Sequence, residues 1–371
     1  MGKILDTGYW MLDTGVLDEN REFTMKAAVY RGVNQVCCEE LPKPEAGPDE
    51  VLVRIRACGL CQSDIKKIRY GLYEPPRIFG HEMAGVVESA GPEVDEWKPG
   101  DRVVVMHHIP CFECAHCERE DYSMCRTFKE LSTTAGFAPS GGGFAEWIRV
   151  PGHIAQHGII RMPDHVSFDE GTFVEPVNCC LKAIRKARVE TGDRVLVIGA
   201  GPMGLLFVQL LKEVGAVPLV AELMENRRQK ALELGAASAI DARREDAKDA
   251  VLEMAGGLGP DVVLLAVPSE TAAQFGLSVV RKGGTMVFFA EFPEEIELPI
   301  NPNDLYRREI TLVGSYSSSY AVQEAAAEIV FSRRIDVRSM ISNEFPLDQL
   351  GEAIDLAAQP REDTLKIVIR P

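Results

Sequence analysis

The sequence has no long apolar run. Its longest apolar tract, residues 194–211, is interrupted by three glycines, a proline and a glutamine, which is unlike a membrane span. Residues 1–30 contain scattered acids and no continuous apolar stretch, so they do not resemble a secretory signal. We therefore expect a protein that has no membrane segment and stays in the cytosol.

Positive charge is scarce as well. The 40 lysines and arginines are outnumbered by 56 aspartates and glutamates, which gives a net charge of −16 and an isoelectric point near 5.0. A surface of this sign repels nucleic-acid phosphates and anionic lipid. Nucleic acids and membranes are therefore not expected as partners, and a small-molecule ligand is.

The 371 residues suit two domains of ordinary size, and the sequence pattern changes along the chain. Residues 1–24 have no clear periodicity and are treated as an N-terminal extension. Short strands with period-two alternation, such as "EVLVRIRACG", predict a β-barrel-like domain over 25–178. Short apolar runs alternating with helices predict a doubly wound parallel sheet over 179–317. Residues 318–371 are predicted to return to the first domain, so the fold class is α/β plus β.

Four of the ten cysteines form one short array in "CFECAHCEREDYSMC". The spacing C-x2-C-x2-C-x7-C lets four thiolates turn toward one centre, which is typical of a closed structural zinc site. Two disulfides or an iron–sulfur cluster are the alternatives, and a reducing compartment disfavours the disulfides. The four residues are Cys111, Cys114, Cys117 and Cys125, within a lobe predicted over 107–130. Because four thiolates leave no open position on the metal, the chemistry has to lie elsewhere.

The segment "VLVIGAGPMG" predicts a dinucleotide-binding turn between a strand and a helix. The residues of this turn are Gly199, Gly201, Pro202, Met203 and Gly204. The pyrophosphate would lie at the helix N-terminus, where free N–H groups favour an anion. Glu222 ends the next strand, where an acid accepts ribose hydroxyls and repels a 2′-phosphate, so NAD is favoured over NADP. Arg227 follows, either to contact the cofactor or to lie in solvent on the next helix.

Several side chains in the barrel half are candidate ligands for a second, open metal site. They are Cys61 in "GLCQSD", His81 in "FGHE", its neighbour Glu82, and Glu175 in "VEP". Taken singly, a buried thiol or imidazole belongs more often to a core than to a metal site. The spacing of these residues does not by itself bring them together.

Together with the four-cysteine lobe, the segments "GLCQSD", "FGHE", "GGGFAEW", "VEP" and "IGAGPMG" resemble, in this order, the zinc-containing medium-chain alcohol and polyol dehydrogenases, such as the sorbitol and threonine dehydrogenases. The resemblance covers residues 25–371. It implies a GroES-like catalytic barrel with an inserted Rossmann domain and an active site in the cleft between them. It also implies two zinc ions per chain, one catalytic and one structural, and a homodimer or homotetramer.

The resemblance implies a role for each candidate ligand. Cys61 and His81 would bind the catalytic zinc. Glu175 stands at the third-ligand position, and Glu82 is the neighbouring acid that alternates on and off the metal; which carboxylate binds at rest stays open. Asp64 would hold the His81 ring and so fix its tautomer.

Two more residues concern the path of the substrate proton. Ser63 would accept the proton of the substrate hydroxyl and pass it toward solvent through the cofactor ribose. Lys66 stands where many relatives have a histidine that finishes this relay. A lysine of ordinary pKa is a poor proton acceptor, so Lys66 either binds a polyhydroxy or anionic substrate or lies in water.

These observations predict a zinc-dependent enzyme that transfers hydride between a secondary hydroxyl of a polyol, sugar or related small alcohol and NAD. The leaning toward polyols rests on the acid at position 175. The alternatives are a threonine-type or simple-alcohol dehydrogenase and, from another class, a non-catalytic nucleotide-binding protein of the same fold.

Overall fold

The computed structural model describes residues 23–359, 361 and 363–371. The predicted N-terminal extension therefore lies outside the described residues, except for its last two positions. In this part of the chain, no helix is both long and apolar enough to cross a bilayer.

The strands are β1 (Thr24–Gly32), β2 (Gln35–Pro42), β3 (Val51–Gly59), β4 (Glu82–Ala90), β5 (Arg102–Val105), β6 (Trp147–Val150), β7 (Ile159–Arg161), β8 (Arg194–Ile198), β9 (Val217–Ala221), β10 (Ser238–Ile240), β11 (Val262–Leu265), β12 (Thr285–Phe288), β13 (Thr311–Gly314), β14 (Ile341–Pro346) and β15 (Lys366–Arg370). The helices are α1 (Gln62–Tyr70), α2 (Arg126–Glu130), α3 (Gly152–His157), α4 (Phe168–Gly171), α5 (Val174–Lys186), α6 (Pro202–Glu213), α7 (Glu225–Glu233), α8 (Ala247–Met254), α9 (Glu270–Val279), α10 (Pro302–Arg308), α11 (Gln323–Phe331) and α12 (Leu350–Ala358).

One sheet is built around β3 and β4. Its strand order is β14-β15-β3-β4-β5-β7, with β6 paired to the other side of β3 at its N-terminal end. Alternation along β3 explains its place, because Val51, Val53 and Ile55 are buried whereas Arg54 and Arg56 point outward. The C-terminal strand β15 pairs antiparallel with β3, whereas β1 and β2 pair with each other in a separate two-stranded sheet.

A third sheet has six parallel strands in the order β10-β9-β8-β11-β12-β13. This is the doubly wound order of dinucleotide-binding folds, and it confirms the predicted fold class. The central strands β8 and β11 are almost entirely buried, as expected for parallel strands that have helices on both faces. Strand β10 was not predicted, because three residues are too few to show a period.

Helix α5 joins the sheet built around β3 and β4 to the six-stranded parallel sheet. The sequence pattern changes after Asn178, but this residue lies in the middle of α5, so the predicted boundary cuts through a helix. The Asn178 side chain donates to the backbone oxygen of Ser319 at 3.0 Å and accepts from the Ser319 N–H at 2.7 Å. This pair fixes the loop "SYSSSY" against α5, at the junction of the two sheets.

Candidate active site

Cys61 and His81 are brought together by the pairing of β3 with β4. Cys61 lies in the turn between the end of β3 and the start of α1, and His81 immediately precedes β4. Gly59 pairs with Glu82 across these strands, and a Cβ at residue 59 would lie 1.9 Å from Glu82 Oε2. Glycine at that position therefore lets the carboxylate of Glu82 lie beside the strand. One ligand atom each of Cys61, His81 and Glu82 lies within 4.8 Å of the others.

Asp64 fixes the orientation of His81. Its Oδ1 lies 3.1 Å from His81 Nδ1 and accepts from Lys67 Nζ at 3.3 Å, and the Asp64 side chain is fully buried. Burial alone would raise the pKa of Asp64, but His81 and Lys67 bring it well below its usual range. Burial likewise opposes the charged form of His81, yet Asp64 and Cys61 raise the His81 pKa well above its ordinary value.

The two candidate acids have different partners. Glu82 forms a buried ion pair with Lys366, whose Nζ also donates to the Leu60 backbone oxygen at 3.3 Å. Glu175 instead accepts from Cys179 Sγ at 3.3 Å, and burial raises the Glu175 pKa. The structure thus groups Glu82 with Cys61 and His81, and it places Glu175 on the wall of the same cavity.

The four cysteines of the lobe have the geometry of a tetrahedral thiolate site. Sγ–Sγ distances are 3.9 Å for Cys111 and Cys117, 3.6 Å for Cys114 and Cys117, and 3.6 Å for Cys111 and Cys125. Four thiolates at about 2.3 Å from one zinc ion would lie about 3.8 Å apart, whereas a disulfide needs about 2 Å. The residues present therefore fit a zinc ion and not a pair of disulfides.

The glycine-rich turn is open where a cofactor would approach. Gly199 has a φ of +96°, and a Cβ at residue 204 would lie 1.8 Å from the Gly199 oxygen. A Cβ at Gly201 would meet only Arg227 Nη1, at 4.0 Å. The helix α6 begins at Pro202, so its free N–H groups face this opening.

Glu222 supports the turn from the next strand. Its carboxylate accepts from the N–H of Ala200 at 2.7 Å and of Met224 at 2.9 Å, and the residue is buried. Arg228 donates to the backbone oxygens of Glu222 and Leu223 and so fixes the end of this strand. Arg227 donates to the Thr364 oxygen at 3.1 Å and so links the turn to the segment before β15.

A single cavity of about 1240 Å³ contains both halves of the site. It is lined by most of the predicted site residues, namely Cys61, Ser63, Lys66, His81, Glu82, Glu175, Gly201, Pro202, Met203, Gly204 and Arg227. Ser63 Oγ donates to Cys61 Sγ at 3.3 Å. Lys66 donates to the Glu291 backbone oxygen at 2.6 Å and lies 3.2 Å from its carboxylate, so it bridges α1 to the loop after β12. The candidate metal ligands and the glycine-rich turn therefore face one space.

Three residues of the site were not predicted. Lys366 lies in the last strand, and no motif marks it as the partner of Glu82. Lys67 lines the cavity and pairs with Asp64, and no motif points to it. His107 also lines the cavity, in ring contact with His81. Only the doublet "HH" directly before the cysteine array could have drawn attention to it.

Comparisons with known proteins agree with this geometry. Residues 47–164 match the family model of the alcohol dehydrogenase GroES-like domain, and residues 202–332 match that of the zinc-binding dehydrogenases. A sorbitol dehydrogenase of Bacillus subtilis is 30% identical, covering 94% of this chain and 97% of that protein. A sorbitol dehydrogenase of Bombyx mori is 32% identical, covering 89% and 94%. A zinc-binding dehydrogenase of Sinorhizobium meliloti, solved with NADP bound, superposes with a TM-score of 0.85 at 29% identity, covering 94% of this chain and 99% of the other.

Proposed function

The chain belongs to the family of zinc-containing medium-chain alcohol and polyol dehydrogenases, and from this premise we propose that it oxidises a secondary hydroxyl of a polyol, sugar or related small alcohol with NAD, or reduces the matching ketone. The observation that supports the proposal most is the donor set of Cys61, His81 and Glu82, which shares one cavity with the glycine-rich turn. A non-catalytic nucleotide-binding protein would have no use for an open metal site.

The catalytic zinc would be held by Cys61, His81 and one of the two acids, Glu82 or Glu175. When bound, it supplies Lewis acidity that lowers the pKa of a hydroxyl group. Asp64 keeps the Nδ1 proton of His81 engaged, which leaves Nε2 as the metal-binding nitrogen. The buried pair of Glu82 and Lys366 decides how readily Glu82 is available as a ligand, because the ammonium competes with the metal for the carboxylate.

Ser63 would accept the proton of the substrate hydroxyl while it gives up its own Oγ proton toward solvent. Its Oγ lies next to the metal ligand Cys61 and on the cavity wall, within reach of a hydroxyl bound at this site. Lys66 does not continue a relay in this arrangement, because its ammonium is occupied by Glu291. We assign Lys66 instead to holding α1 against the nucleotide sheet, so that water is excluded while hydride is transferred between two aligned carbons.

NAD is proposed over NADP because of Glu222. Although both of its oxygens accept backbone N–H groups, each keeps a further lone pair for a ribose hydroxyl. A 2′-phosphate would meet this carboxylate, and Arg228 is already engaged with backbone oxygens. We assign Arg227 to contact the cofactor through Nη1, which lies next to Gly201, while its Nη2 is held by the Thr364 oxygen. The NADP bound in the Sinorhizobium meliloti protein makes this preference worth a direct test.

We further propose a cytosolic homodimer or homotetramer in which residues 25–178 and 318–371 form the catalytic domain and residues 179–317 the nucleotide-binding domain. The thiolate geometry of the cysteine lobe supports a reducing compartment. Light scattering during size-exclusion chromatography would measure the oligomeric state.

The function is tested by a panel of polyols, sugars, threonine and simple alcohols, each offered with NAD and with NADP while absorbance at 340 nm is followed. We expect turnover of secondary hydroxyls in polyols, with NAD favoured. A response to primary alcohols alone would overturn the polyol assignment, and a response to threonine alone would favour a threonine-type dehydrogenase.

A further inference from the structure

A second cavity, of about 530 Å³, lies against the sheet built around β3 and β4. Its lining residues are Arg56, Val86, Arg102, Phe168, Arg370 and Pro371. Half of them are arginines, and no acidic side chain of the described residues lines the cavity. None of the described residues lines both this cavity and the one that holds the candidate active site. Positive charge is therefore concentrated here, away from the active site, in a chain whose net charge is −16.

The three arginines come from three different strands of this sheet. Arg56 points outward from β3. Arg102 is the first residue of β5 and pairs with Val86 of β4. Arg370 is the last residue of β15, which lies on the other side of β3. Strand pairing between distant segments thus brings the cluster together.

Arg370 is fixed by two carboxylates. It donates through Nε to Glu344 at 2.9 Å and through Nη2 to Asp169 at 2.8 Å. These acids balance its charge, but its Nη1 group has no acceptor among the described residues. Arg370 therefore offers the cavity oriented N–H donors with little net charge.

Arg102 is fixed by a backbone oxygen and an aromatic ring. Its Nη2 donates to the Val166 oxygen, and its Cζ lies 4.2 Å from the centre of the Phe168 ring. The acid that lies near it is Asp164, whose Oδ1 is 4.0 Å from Nε and fully exposed, which is too far for a hydrogen bond. Arg102 therefore keeps most of its charge, and its Nη1 group again has no acceptor within the described part of the chain.

Arg56 has no partner at all among the described residues. Its side chain forms no hydrogen bond, ion pair or ring contact with them, and Pro371 is not paired with it. Arg54, two residues earlier on β3, differs because its Cζ lies 5.2 Å from the centre of the Trp147 ring. Arg56 thus adds an unbalanced positive charge to a cavity that already contains that of Arg102, an arrangement that an anion between them stabilises.

We propose that this cavity is a second ligand site, which binds a small phosphate monoester. The phosphate is held by Arg56 together with the free Nη1 groups of Arg102 and Arg370, because guanidinium groups match the geometry of phosphate oxygens. The organic part lies against Val86 and Phe168, which form the apolar part of the wall. A volume of about 530 Å³ is within the usual range for small-molecule sites and is larger than a phosphate group alone requires.

The test is a calorimetric titration of the zinc-loaded protein at pH 8 and constant ionic strength, where a phosphate monoester carries close to two charges. NADH is present at saturation, so that the glycine-rich turn is occupied. We expect wild type to bind phenyl phosphate more tightly than inorganic phosphate, which lacks the ring, and more tightly than benzoate, which has one negative charge. No binding of phenyl phosphate, or equal binding of benzoate, would overturn the proposal.

Arg56→Gln removes the unbalanced charge and should weaken the binding of phenyl phosphate about tenfold. Because Arg56 contacts no described side chain, the melting temperature without ligand should equal that of wild type. The matched control is Arg54→Gln, which removes the same charge from the same strand but outside both cavities. The affinity of this control should change by less than about twofold, because an exposed charge that does not touch the ligand is screened.

Equal weakening in Arg56→Gln and Arg54→Gln would contradict the proposal, since binding would then reflect the general charge of the strand. Unchanged affinity in Arg56→Gln would place the ligand elsewhere and would also overturn it. The titration measures binding without turnover, so its result does not depend on the proposed function. A protein that oxidised no polyol but lost phenyl phosphate affinity in Arg56→Gln alone would still support the second site.

Discussion

Glu170 is a buried carboxylate that is held by two arginines and a backbone N–H group. It lies in α4 and is 1% exposed; it accepts from Arg333 Nε at 2.8 Å, from Arg338 Nη2 at 2.9 Å and from the Ser167 N–H at 2.8 Å. Burial opposes its charge, but these donors lower the pKa of Glu170 from 4.5 to about 2. Such a change corresponds to about 3 kcal/mol at neutral pH. Because both arginines are about half exposed, solvent screening reduces the expected contribution to about 2 kcal/mol.

The sign follows from the lowered pKa. The unfolded chain binds the proton more readily, so the stabilisation is complete above about pH 4.5 and is lost as pH falls toward 2. Urea denaturation at pH 7 should show that Glu170→Gln costs about 2 kcal/mol, and the cost should shrink by roughly a third at pH 4. The control is Glu130→Gln, which breaks a pair with Arg126 at 2.8 Å on the surface and should cost less than about 0.5 kcal/mol. Equal costs for the two variants, or a Glu170→Gln cost that does not change with pH, would refute the reasoning.

Three further substitutions test other parts of the structure. Lys366→Met leaves the Glu82 carboxylate buried and uncompensated where no zinc ion is bound beside it, so in protein without the catalytic zinc the free energy of unfolding should fall by about 3 kcal/mol in urea denaturation; no loss there would mean that the pair does not form. Glu222→Ala removes the acceptor that supports the glycine-rich turn, so fluorescence titration should show about tenfold weaker NADH binding, and unchanged affinity would contradict that role. Cys111→Ser leaves three thiolates in the lobe, so the protein should lose one zinc ion and its melting temperature should fall by several degrees. A wild-type melting temperature would argue against a structural metal.

Much of the fold and of the candidate site follows from local patterns. The alternation along β3 is visible in the sequence because a strand that is buried on one face alternates apolar and polar residues. The strands β8 and β11 are visible as unbroken apolar runs because they are buried on both faces. The candidate metal ligands and the glycine-rich turn lie in short sequence motifs. The chemistry of each motif can therefore be predicted without knowing how the motifs are brought together in the fold.

What could not be predicted depends on contacts between distant segments. Lys366 and Glu82 come from opposite ends of the chain and meet only because β15 joins β3 at the edge of the ligand site. The sequence left open whether Lys66 takes part in proton transfer, binds substrate or lies in water. Its partner Glu291 could not be predicted, because it follows β12 of the six-stranded sheet. The pairing of Lys67 with Asp64 could not be predicted either, because the burial of Asp64 is a property of the packed structure.

The central claim is that Cys61 belongs to an open catalytic zinc site distinct from the closed site of the lobe. Its most direct test is metal analysis of wild type and Cys61→Ser, paired with NAD reduction. We predict close to two zinc ions per chain in wild type, and in Cys61→Ser close to one, with an unchanged fold by circular dichroism and no NAD reduction. One zinc ion per chain in wild type, or full activity of Cys61→Ser, would contradict the account.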